Sequence, residues 1–133
     1  MDEKLEKKLV EQYPDALSEY GGDARYTCMA WGFECGNGWH KIIEELCEKI
    51  ANIPGFKFAQ VKEKFGTLTI YYDGPENEDD RAKVRLAIDE AEIKSSKTCE
   101  NCGEPGENTN INGWLRTECK MCKTLNEIRL ENR

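Results

Sequence analysis

Phe56-Lys57-Phe58-Ala59-Gln60-Val61-Lys62-Glu63-Lys64-Phe65-Gly66-Thr67-Leu68-Thr69-Ile70-Tyr71-Tyr72 is the stretch on which the fold turns. Phe58, Val61, Phe65, Leu68, Ile70 and Tyr72 are its apolar anchors. The β-branched run Thr67-Leu68-Thr69-Ile70 alternates between apolar and polar, the pattern of a half-buried strand. Lys62-Glu63-Lys64-Phe65-Gly66 reads as the turn between two strands, with Gly66 free to take positive φ. Two strands alone are marginal in water. The hairpin therefore needs helices on one face, or a third strand from residues 20–36.

Helices are predicted on both sides. Leu5, Leu9 and Tyr13 fall four apart, a short amphipathic helix stopped by Pro14. Trp39, Ile42, Ile43, Leu46, Ile50 and Ile53 form a second apolar stripe, with Asn37 as its cap and Pro54-Gly55 as its end. Downstream, Asp73-Gly74-Pro75 breaks the second strand. The acidic cluster Glu76, Glu78, Asp79 and Asp80 then suits a helix N-terminus. Val84, Ala87, Ile88 and Ala91 recur at helical spacing up to about Ser96. Residues 18–38 are rich in Gly and aromatics and show no period. The expected fold is α+β, with helices packed on a small antiparallel sheet across residues 1–96.

At Lys97 the character changes. Cys99-Glu100-Asn101-Cys102 and Cys119-Lys120-Met121-Cys122 are separated by sixteen residues. Two Cys-x-x-Cys pairs at this distance match a four-thiolate zinc site, and Gly103 lets the chain turn back beneath the metal. Asn108–Asn112 reads as a loop or hairpin tip, and Trp114-Leu115-Arg116-Thr117 as a short return strand. A final helix from Lys123 is expected to face Leu125, Ile128 and Leu130 inward. Residues 97–133 are thus expected to form a treble-clef-like zinc ribbon holding one structural Zn2+ through Cys99, Cys102, Cys119 and Cys122. Four thiolates fill the coordination sphere and leave no position for an activated water. A redox pair fits less well, because neither Cys-x-x-Cys follows a strand in a βαβ unit. Cys28, Cys35, His40 and Cys47 have spacings that match no compact zinc module, and Cys47 lies beside an apolar stripe, where a buried free thiol is ordinary.

Charge bounds the partner. The 133 residues carry 26 acidic and 19 basic side chains, a net −7 that argues against generic phosphate or duplex-DNA binding. Residues 94–133 are nearly balanced, so residues 1–93 carry most of the negative field. The N-terminus has no apolar run behind its charges, and no stretch is apolar enough to span a bilayer, so a reducing cytoplasm is the expected compartment. Phosphate-loop, nucleophile-elbow and zinc-protease motifs are missing, and His40 is followed by Lys41-Ile42 rather than the Glu that a deaminase needs. The reading is a binding protein rather than an enzyme. Lys62, Lys64 and Phe65 on the turn, with Trp114 and Arg116 on the ribbon, are the candidate partner-contacting residues. Two patches also suit stacking of single-stranded nucleic acid: Trp114, Arg116, Lys120 and Lys123 on the ribbon, and Lys57, Lys62 and Lys64 with Phe65, Tyr71 and Tyr72 near the hairpin.

Gly36-Asn37-Gly38-Trp39, the block Val61-Lys62-Glu63-Lys64-Phe65-Gly66-Thr67-Leu68, Thr98-Cys99-Glu100-Asn101-Cys102-Gly103 and Gly113-Trp114-Leu115-Arg116-Thr117-Glu118-Cys119 together resemble a family of small bacteriophage and prophage proteins without an assigned activity. The resemblance spans about residues 31–122, and Lys-Glu-Lys-Phe-Gly-Thr-Leu is its most specific part. It implies phage origin and action in the bacterial host cytoplasm. Small acidic phage proteins without enzyme motifs often act by binding, which here implies inhibiting or sequestering a host anti-phage defence component. A host protein is the first candidate partner; a sponge for a nucleotide signal and a single-stranded nucleic-acid regulator are the alternatives.

Overall fold

The computed structural model describes residues 1–131, with side chains through residue 129; Leu130 therefore lies outside the described side chains. Helix α1 (Glu3–Gln12) leads through an irregular segment with a short 3-10 turn (Cys28–Trp31) to β1 (Phe33–Glu34). A second 3-10 turn (Asn37–Trp39) runs into α2 (His40–Ile50). The hairpin β2 (Lys57–Lys64) and β3 (Thr67–Asp73) follows, then α3 (Glu78–Ser95), the hairpin β4 (Glu107–Ile111) and β5 (Trp114–Glu118), and α4 (Lys120–Glu131).

The sheet order is β1-β2-β3, with β1 parallel to β2 and β2 antiparallel to β3. The expected third strand is thus Phe33–Glu34, but the sheet is mixed rather than wholly antiparallel. Its connection explains why: residues 35–56 carry α2 across before β2 begins, and a parallel pair requires such a crossover. The β2–β3 register slips once, between Phe58 and Gln60, where an extra residue bulges. Val61, Leu68 and Ile70 point to the core with Phe58, while α2 and α3 pack against one another over the sheet.

The helical stripes fall where their spacing put them. Trp39, Ile42, Ile43, Leu46 and Ile50 are buried from α2, and Val84, Ala87, Ile88 and Ala91 from α3. Asn77 caps α3 by accepting the Asp80 N–H at 3.1 Å, and Glu78, Asp79 and Asp80 occupy its first turn. Asn37 does not cap α2. Its side chain accepts the Asp2 N–H at 2.7 Å and so ties the start of α1 to the start of the second helical segment.

Residues 18–38 are organised from a distance. Glu6 on α1 is buried; its carboxylate accepts the Phe33 N–H at 2.8 Å and the Tyr20 hydroxyl at 2.7 Å. Burial first, then this bond, pushes the Tyr20 phenol up to about 12. Gly32 passes so close that a Cβ there would lie 2.8 Å from the Glu6 carboxylate. One acidic side chain thereby substitutes for the regular structure the segment lacks.

Along the outer edge of β3, two backbone donors face away from β2. Ser95 Oγ accepts the Leu68 N–H at 2.8 Å and Glu92 accepts the Ile70 N–H at 3.2 Å, so the last turns of α3 cover that edge.

Candidate metal centre

Cys99 and Cys102 sit on a knuckle after α3; Cys119 precedes α4, and Cys122 lies in its first turn. The knuckle is shaped by its backbone. Cys99 N–H donates to Glu104 O at 2.7 Å, and Gly103, at φ 82°, donates back to Cys99 O at 2.9 Å. At the second pair the Cys122 N–H donates to Cys119 Sγ at 3.4 Å, so the sulfur serves as an N-terminal cap. Knuckle, hairpin and helix follow in the treble-clef-like order expected from the sequence.

The four ligand sulfurs lie within 4.8 Å of one another, and Cys102 Sγ is 3.7 Å from Cys119 Sγ. A tetrahedral ion with metal–sulfur bonds of about 2.3 Å has sulfur–sulfur edges of about 3.8 Å. The donor set fits one tetrahedral cation. Without a cation the four sulfurs cannot all ionise at neutral pH: the Cys122 N–H, chiefly, brings the Cys119 thiol down to about 7, whereas burial, chiefly, with the neighbouring sulfurs, pushes Cys122 up to about 12. Four sulfurs this close hold four negative charges only around a cation.

Apolar packing around the centre is thin. Cys99, Thr117 and Glu118 are buried, but Leu125 and Ile128 are about half exposed and Met121 more so. The expected inward face of the last helix is therefore corrected. Cys122 and Asn126, one turn apart, hold α4 instead, Asn126 donating to the Glu118 carboxylate. That fixes the helix by polar and sulfur contacts and rotates Met121, Leu125 and Ile128 outward.

Two junctions fasten this region to the rest of the chain. At the first, Gly38 N–H donates to Glu100 O at 2.7 Å, Gly36 N–H to the Glu100 carboxylate at 2.8 Å, and Trp39 Nε1 to Thr98 O at 2.9 Å. A Cβ on Gly38 would lie 2.1 Å from Cys99 O, so only glycine permits the approach. At the second, the buried Thr117 hydroxyl donates to Gly66 O at 2.6 Å.

No protein family, curated protein or solved structure matches this chain. The reading of its site rests on its own geometry.

The five expected contact residues divide. The turn is shorter than expected: β2 continues through Lys64, and Phe65 and Gly66 alone make it, both at positive φ (53° and 84°). Phe65 is consequently not a core anchor; it stands at the tip, 70% exposed, with Lys64 Nζ 5.7 Å from its ring. Lys62 is half-buried. Trp114 is 47% exposed, and the Arg116 guanidinium stacks 4.6 Å over its ring. Arg116 is not free: its side chain is only 20% exposed, and its Nε lies 3.5 Å from Glu118 Oε1 without a directed hydrogen bond. Gly66 brings the groups together, because a Cβ there would sit 3.1 Å from the Arg116 backbone.

Cys28 is exposed and Cys35 and Cys47 are buried; among the described residues they form no ligand set with His40. Burial pushes both buried thiols up to about 12, which keeps them inert at neutral pH. No described helix is long and apolar enough to cross a membrane. Sequence reasoning missed Glu100, which faces Gly36 across the first junction and whose carboxyl burial raises above its ordinary range. It looked like one more acidic residue between two ligands.

Proposed function

We propose that this chain is a non-catalytic binding protein in which one zinc ion on Cys99, Cys102, Cys119 and Cys122 holds the β4–β5 hairpin against the tip of the β2–β3 hairpin. Where the first hairpin's tip meets the second hairpin's strands, Phe65, Lys64 and Trp114 are presented to a partner, with Arg116 stacked on Trp114 and Lys62 at the margin. The single observation that carries this reading is Phe65. A bulky aromatic at positive φ costs on the order of 1–3 kcal/mol, and such strain concentrates at functional positions. Its ring is left in solvent, so the core gains little from it.

The closed thiolate set supports a structural metal rather than a catalytic one. The bacteriophage resemblance supports a host defence protein as partner. The acidic body would steer a basic surface towards these residues, at a rate that falls as salt rises. A second reading, single-stranded nucleic acid, draws on the same two cation–aromatic couples, on which unpaired bases stack.

Capture from bacterial lysate onto immobilised zinc-loaded protein, compared with Phe65→Asn and Trp114→Ala, tests the proposal. Truncating a residue that dominates an interface costs at least ~2 kcal/mol, or about thirtyfold in affinity. A protein retained by wild type should be lost from both variants. Retention by both sinks the surface assignment, and tight binding of a single-stranded oligonucleotide in place of any protein selects the second reading.

A further inference from the structure

We propose that the cavity between the start of α2, the end of α3 and the first cysteine knuckle binds a phosphorylated small molecule, a nucleoside mono- or diphosphate. It encloses about 580 Å³, within the range of roughly 300–1,000 Å³ typical of small-molecule sites. It shares no residue with the hairpin tips.

Apart from the cysteine thiolate of the knuckle, its charged side chains are mainly basic. Lys41, Lys94 and Lys97 line it against a single carboxylate, Glu45, in a protein of net charge −7. Glu45 is already engaged, 3.4 Å from Lys94 Nζ in an exposed pair that a phosphate oxygen can replace. Positive charge gathered in a concave site is what a phosphate ester requires, whereas lysines spread over an acidic surface would serve solubility alone. Lys94 lies in the last turn of α3 and Lys97 two residues beyond it, where their charges offset the negative end of that helix; Lys41 lies in the first turn of α2, where the helix dipole adds to its charge.

A second observation is independent of the lysines. Leu5 and Ile42 supply an apolar wall, which free phosphate does not need and a nucleobase does. The opposite wall is Cys102-Gly103, set in place by the close approach of Gly38 to the knuckle.

Isothermal titration of the zinc-loaded protein with ADP, and separately with inorganic pyrophosphate, tests the site. ADP should bind, and pyrophosphate about tenfold more weakly for want of the apolar contact. Lys94→Gln and Lys97→Gln should each weaken ADP about tenfold or more, since each removes a charge-assisted hydrogen bond. Lys83→Gln, about three turns earlier on α3, should leave it unchanged. Amide resonances of Gly38, Lys41 and Gly103 should shift on addition of ADP, a readout that needs no variant. Absence of ADP binding overturns the proposal, as do undiminished binding by both lysine variants or shifts confined to Phe65 and Trp114. Pyrophosphate binding as tightly as ADP overturns the nucleotide assignment. Lysate capture through Phe65 is unaffected by any of these outcomes, so the two readings fail separately.

Discussion

The molecule contains two hairpins with the same turn geometry and opposite surroundings. Phe65-Gly66 and Asn112-Gly113 are both two-residue turns with positive φ at each position, at 53° and 84° against 52° and 86°. Asn-Gly is the pair such a turn prefers. Phe-Gly is not, and it survives because its neighbours over-determine it. Glu63 accepts the Gly66 N–H at 2.7 Å, Thr117 donates to Gly66 O, and Asn108 donates to Phe65 O at 3.4 Å. Around Gly113 nothing lies within 4 Å of a Cβ. One turn is formed by its residues, the other by its contacts. The difference teaches that the four-cysteine region braces the turn of the first hairpin.

The sharpest way to break the comparison is to remove the metal. Structural zinc contributes apparent binding energies of about 10–16 kcal/mol in small thiolate sites. Cys119→Ser, or chelation, should therefore erase amide protection over residues 98–131 while the core of β2, α2 and α3 retains it. Elemental analysis should give one zinc per chain before treatment. Iron in its place would correct the metal, and a single transition melting both hairpins together would merge them into one unit.

Next in size is the glycine contrast. Gly113→Ala meets only the left-handed backbone penalty, about 1–2 kcal/mol. Gly66→Ala meets that penalty and also a Cβ placed 2.5 Å from Asn108 Nδ2 and 3.1 Å from the Arg116 backbone, adding about 1–3 kcal/mol of overpacking. Chemical denaturation should rank Gly66→Ala well below Gly113→Ala; equal losses would mean that the first hairpin's tip does not press on the strands of the second.

Exchanging the first turn residues gives a smaller effect of the opposite sign. Phe65→Asn should stabilise by up to ~1 kcal/mol, and Asn112→Phe should destabilise by a similar amount. A loss of stability in Phe65→Asn would show that the ring packs usefully and was not retained for binding.

The smallest effect concerns pH. Burial, chiefly, raises the Glu92 carboxyl, although the Ile70 N–H opposes the shift. A raised folded pKa means that the folded state holds the proton more tightly than the unfolded one. Its stabilising contribution is full below the ordinary value of 4.5 and is lost as pH rises through the folded value. Glu92→Gln keeps an acceptor for Ile70, so relative to wild type it should gain stability as pH rises through that window and then level off. A flat difference across the window would refute the assignment.

How far the sequence foretold this molecule depends on how local each signal was. The stripes of α2 and α3, the strand alternation around Leu68 and Ile70, and the paired cysteines are periodic or fixed in spacing, and all lie where they were expected. The length of the first turn was not legible. Lys62-Glu63-Lys64 reads as polar loop, yet strand pairing with β1 and β3 continues through most of it. Residues 18–38 were opaque because Glu6, 27 residues before Phe33, supplies the hydrogen bonds a period would have announced. Leu125 and Ile128 misled for the reverse reason: their spacing is helical, but sulfur and amide contacts chose a different inward face. The lysine cavity was invisible because Lys41 and Lys94 are far apart in sequence and meet only when α2 packs on α3.

The way α3 occupies the outer edge of β3 bears on how chains of this kind meet one another. An open edge is a template on which another strand can be laid, and a filament can grow from it one copy at a time. Here Ser95 and Glu92 already take the donors of Leu68 and Ile70 that an incoming strand would use, and the far side of the sheet ends in a strand of two residues. Backbone pairing at Leu68 and Ile70 is thereby closed to an incoming strand, and the opposite side offers only a two-residue template.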